Sequence, residues 1–114
     1  ANFGTPSHVM DMNVNGKINA TEVLVMIDVW QDKVFDVDYA LMDLNELESY
    51  ISANRHLPGV PAESEVISSG INVGEMNALL MKKIEELTLY VIDLKKENME
   101  MQSQLETLFK KAEK

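Results

Sequence analysis

Residues 72–114 read NVGEMNALLMKKIEELTLYVIDLKKENMEMQSQLETLFKKAEK, and their spacing decides the fold. From Asn77 onward the core-type positions alternate three and four residues apart. Asn77, Ile84, Val91, Asn98 and Leu105 fall at heptad position a, and Leu80, Leu87, Leu94, Met101 and Leu108 at d. A repeat averaging 3.5 residues predicts a left-handed coiled coil, because an α-helix must underwind slightly to keep such a seam against its partner. The start is marked as well. Asn72 is placed to cap the helix, Glu75 to complete a capping box, and Ile71 to staple against Met76. No proline interrupts the run and no glycine follows Gly74, so one helix is predicted from about Val73 to Lys111. At about 1.5 Å per residue it spans roughly 55–60 Å, too long to fold back inside so small a chain.

Strand number is read from the seam and its flanks. Ile or Val at a with Leu at d favours two parallel strands, and Asn98 at a points the same way. Leu79, Met81, Leu89, Tyr90, Ile92 and Phe109 widen the apolar stripe beyond the seam. A wider stripe suits a third strand, or a body folded against the outside of the helix. Charge pairing at e and g is thin, so identical copies are the expected partners. A parallel homotrimer is the expectation, with a homodimer as the alternative.

Upstream, Leu44 to about Ala53 reads as a short helix. Asp43 is placed to cap it, Glu46 supplies the capping-box acid, and Leu44, Leu47 and Ile51 share one face. Pro58 forces the chain out of the helix through Arg55–Pro61. A further helical turn around Glu63–Ser68 ends at Gly70. Further back, Met12, Val14, Ile18 and Ala20 alternate with polar residues around Asn15-Gly16, a pair that favours the type I′ hairpin turn. Val23 to Trp30 is β-branched enough for another strand. The expected fold is therefore α+β and homo-oligomeric, with a short N-terminal β-hairpin and a small helix–loop layer ahead of the long coiled-coil helix. Its expected layout is an extended lead-in over residues 1–10, a small α+β region over 11–71 and the coiled-coil helix over 72–114.

Composition narrows the function. The chain has 114 residues, with 19 acidic against 10 basic side chains and a net charge of −9. Such a surface repels phosphate backbones, so neither nucleic acid nor an anionic membrane is an expected partner. No apolar run approaches the roughly 18–20 residues of a membrane span, so no insertion is expected. The absence of cysteine removes disulfides, zinc-thiolate sites and thiol nucleophiles together. The first residue is Ala1, and a processed product or a segment of a longer protein is expected. The acidic run Asp28, Asp32, Asp36, Asp38, Asp43, Glu46 and Glu48 reads as a solvated face.

Four stretches carry a resemblance: VNGKINATEVLV, WQDKVFDVDYALMDLNELESYI, NRHLPGVPAESEV and GINVGEMNALLMKKIEELTLYVIDLKK. Residues 13–96 resemble a C-terminal domain common in Bacteroidetes secreted, surface and phage tail-fibre-like proteins. The resemblance implies a structural role, as a terminal cap or trimerisation element after an extended shaft or filament. It also implies an extracellular, cell-surface or virion-associated location. Tail-fibre ends that act as intramolecular chaperones are similar in architecture. The self-cleaving kind uses a serine–lysine motif that does not stand here, so autoproteolysis is not implied.

Two chemical alternatives remain beside the hairpin and the seam. Asp11, Asn13, Asn15, Gly16 and Glu22 fit the spacing of an EF-hand calcium loop. The neutral Asn ligands and the Gly4 and Pro6 ahead of them make the hairpin the preferred reading, with no cofactor or metal expected. Trp30, Phe35 and Tyr39 are expected to anchor a small core; exposed, they would instead offer a receptor- or glycan-binding tip. His8 and His56 have no triad or metal partners at useful spacing, and Ser68-Ser69 reads as loop. No enzyme is expected.

Overall fold

The computed structural model describes residues 11–27, 30 and 32–113. Three helices carry it: α1 (Leu44–Asn54), α2 (Glu63–Ser69) and α3 (Val73–Ala112). No described residue belongs to a strand, so the fold is helical and the expected α+β class is corrected. The turn itself shows why. A type I′ hairpin turn needs positive φ at both central residues. Among the described residues only Arg55, Gly59 and Gly70 have it, and Asn15-Gly16 makes a simple bend. Residues 11–27 are exposed throughout and without regular secondary structure, and two strands with no apolar layer beneath them are marginal in water. The strand expected from Val23 to Trp30 fails likewise over 23–27; Asp28, Val29 and the lead-in 1–10 lie outside the described residues.

The helices start and stop where local chemistry dictates. The Asp43 carboxylate accepts the Asn45 N–H at 3.2 Å and so caps α1. Arg55 closes it in the left-handed region at φ 64°, donating its N–H to Ile51 O. Leu57-Pro58-Gly59-Val60 then turns sharply, with Val60 N–H donating to Leu57 O at 3.1 Å. Proline at the second place and Gly59 at φ 79° at the third are what a type II turn requires. At Gly70, φ 72°, the N–H donates to Val66 O and ends α2, whose last turn contains Ser68 and Ser69 rather than a loop. The Asn72 carbonyl accepts the Met76 N–H at 2.9 Å, but its side chain accepts no helical N–H; the side-chain amide donates to Glu75 Oε2 at 3.1 Å instead. The expected capping box is thus replaced by a side-chain pair that still holds an acid at the positive end of the helix.

Helix α3 has 40 residues, about 60 Å at 1.5 Å per residue, and dominates a molecule 81 Å long. The radius of gyration is 22.5 Å, against about 13 Å for a compact chain of this length. No two helices pack backbone against backbone. Val34, 3% exposed, is the one buried apolar side chain among the described residues. Trp30 and Phe35 stay exposed, so they do not anchor a core; only Tyr39 of the expected aromatic trio is half-buried.

The irregular segment touches α3 at its first turn. A Cβ on Gly74 would lie 3.0 Å from Val25 Cγ1 and 3.3 Å from Ile27 Cγ1, while Leu24 and Met26, which alternate with them, stay 86% and 84% exposed. Glycine costs about 1 kcal/mol in a helix relative to alanine, and the close approach explains its use. Gly74→Leu is expected to detach residues 23–27 while leaving α3 helical. Faster protease cleavage near Met26 with unchanged circular dichroism is the predicted readout.

Candidate oligomerisation seam

Every predicted seam residue lies on α3, and each of them is exposed in the single chain. Leu80, Ile84, Leu87, Val91 and Leu94 form one continuous stripe along the first half, with Leu87 60% exposed. The covered side is a different one. Met76, Ala78, Leu79, Lys83, Glu85, Glu86, Leu89 and Tyr90 are half-buried, and all fall at heptad positions b, c, f or g. From Asn77 onward the body therefore holds the outer flank of α3 and leaves a, d and e exposed; Gly74, at e one heptad earlier, is half-buried against Val25 and Ile27. Beyond Tyr90 the body borders α3 only across an open cleft, as far as Glu97, and residues 91–113 are all exposed.

Polar contacts fix the body to this flank. Tyr90 donates its hydroxyl to the Met42 carbonyl at 2.6 Å, and Tyr39 donates to Glu86 Oε2 at 3.2 Å. The other oxygen, Glu86 Oε1, is buried and meets the Lys83 ammonium at 3.0 Å. Burial pushes both phenols above their ordinary pKa, and the nearby Glu86 carboxylate pushes them further. Both are therefore neutral donors near pH 7. These links join residues 47 and 48 positions apart, a separation that no sequence period reveals.

Glu85, on the same flank, lies beside Asp32. Partial burial raises the Glu85 pKa first, and the charge and hydrogen bond of Asp32 raise it further. An acid raised in the folded state holds its proton better there than in the unfolded chain, so stability grows as pH falls from 7 through that raised value. Mild acid is expected to raise the melting temperature. Glu85→Gln should flatten that dependence, which a melting series against pH would show.

The remaining candidates do not converge. Asp11, Asn13, Asn15 and Glu22 lie in exposed irregular chain, and the stretch after Glu22 is not the exiting helix that an EF-hand needs. Among the described residues no cluster of His, Asp or Glu is grouped to hold a metal ion. His56 packs edge-on against Tyr50, with ring centres 5.8 Å apart, and His8 lies outside the described residues. No helix of the described residues is long and apolar enough to cross a membrane. No protein-family model, curated protein or solved structure matches this chain.

Proposed function

We propose that this chain is a structural assembly module, which joins identical copies through a parallel coiled coil built on the α3 seam. One observation carries the reading: the a and d side chains from Leu80 to Leu108 are exposed on the face that the body leaves free. Isolated helices are marginal in water, and most helical stability comes from packing an apolar face. Residues 98–113 have no such packing within their own chain. The surface points the same way, at 10670 Å² against about 6,300 Å² for a compact monomer of this mass. A stable interface needs only about 1,200–2,000 Å² in total.

Three strands are favoured by Met81 and Phe109, apolar side chains at e that remain exposed outside the a and d rows. Leu79, Leu89 and Tyr90 no longer argue for a third helix, since the body half-buries them. The resemblance of residues 13–96 supports a place at the end of a fibre or surface protein outside the cell. Exposed Trp30 and Phe35 support a second reading, a glycan- or receptor-binding tip. Loss of glycan binding on Trp30→Ala with assembly intact would mark that role.

Folding and assembly are coupled in the first reading, because most apolar burial arises between copies. The melting temperature should fall by several degrees on tenfold dilution. A melting temperature independent of concentration across the micromolar range counts against self-association.

A further inference from the structure

The body does more than cover one flank of α3. Leu44 and Leu47 of α1 and the Leu57-Pro58 turn face the seam across an open, mainly apolar groove of about 620 Å³. Lys83 and Tyr90, both at g, lie along it. The e positions Met81, Thr88 and Lys95 line the other edge of the seam and are exposed. In a parallel coil the g residue of one helix meets an e residue of its neighbour, in the following heptad. Tyr90 is thereby set against Lys95 of the partner subunit.

We propose that this groove seats the α3 helix of the neighbouring copy, so that α1 and the Leu57-Pro58 turn belong to the interface and clamp the helix beside the seam. The proposal rests on the coiled-coil reading and names what lies outside the seam itself. Charge identifies the occupant. Next to Tyr90, Asp43, Asp93 and Glu97 border a cleft continuous with the groove. Lys83–Glu86 is the only ion pair among the described residues, so none of these carboxylates is neutralised by one of them. The side chain that heptad geometry delivers to the cleft is a cation, Lys95 of the partner subunit. Groove and helix also match in chemistry: the wall is leucine and proline, and the arriving edge carries the partner's Met81 and Thr88 ahead of that lysine.

Full-length Leu44→Asp tests the wall. Leu44 is the first residue of α1, where an acid complements the helix dipole, so α1 is retained. The matched control is Ile67→Asp on α2, exposed and outside the groove. Leu44→Asp is expected to raise the concentration at which the oligomer dissociates by at least about tenfold, since leucine burial is lost in every copy. Ile67→Asp should leave it unchanged. The chain has no cysteine, so Asn45→Cys combined with Lys95→Cys adds an independent readout. Oxidation should link different copies into a covalent oligomer on a denaturing gel. Equal dissociation of Leu44→Asp and Ile67→Asp, or double-cysteine chains that oxidise only to monomers, overturns the clamp while the wild type still assembles. A wild type that is monomeric throughout overturns the coiled-coil reading first, and the clamp with it.

Discussion

Leu87→Asp is expected to turn the assembly into monomers at every practical concentration. In the single chain Leu87 is 60% exposed, and a substitution at such a surface position changes stability by no more than about 0.5 kcal/mol. In the proposed coil the same atom positions lie in the dry seam, at d, ringed by their symmetry mates. An unpaired charge left in such a place costs about 3–5 kcal/mol. Three copies together lose roughly 10 kcal/mol, and each 1.4 kcal/mol is a factor of ten in association. The contrast makes the variant diagnostic: only an interface explains a large effect. Sedimentation velocity should show a single slow species. Helix content should fall as well, since residues 98–113 would then have nothing to pack against.

Asn98→Ile is expected to act in the opposite direction on stability. Asn98 is exposed in the single chain and stands at a, in the stretch of α3 beyond the body. Within a coil its amide must leave water and find partners among its symmetry mates, which costs stability. Those partners are in reach only when the helices are parallel and level, so the amide sets register. Isoleucine removes the desolvation cost and adds apolar burial, and the melting temperature should rise by several degrees. Register should loosen at the same time, with mixed strand numbers or shifted alignments resolved in the ultracentrifuge. A small rise in melting temperature with one unchanged species would mean that Asn98 is merely solvated where the coil frays, and would retire its role in register.

The helices were legible because their signals are local. Asp43, the Leu44–Leu47–Ile51 spacing and Pro58 were enough to place α1 within a residue of its observed Leu44–Asn54 span. Gly70 marked the end of α2, and the uninterrupted heptads gave α3 almost to its last turn. Asn15-Gly16 is an equally local signal, yet it describes only a turn. Without an apolar surface for Met12, Val14 and Ile18 to lie on, nothing holds two strands together. The flank of α3 that receives the body was visible only as surplus apolar residues, Leu79, Leu89 and Tyr90. That surplus fitted a third strand as well as a packed body, and the Tyr90–Met42 bond assigns those residues to the body. Glu86 and Lys83 gave no warning, since a charged pair three residues apart reads as ordinary helix surface. The groove wall was hidden too: Leu44 and Leu47 read as one face of a short helix and Leu57 as part of the turn after it, and only the folded chain sets them beside the seam.

Self-association through the seam is tested most directly by the mass of the purified chain, measured by light scattering across a dilution series. Three copies of 12.9 kDa give about 39 kDa, and this mass is expected to hold until dilution dissociates the coil. A constant mass near twice that of one chain would keep the seam and retire the third strand. A constant 12.9 kDa at all concentrations would contradict the seam itself.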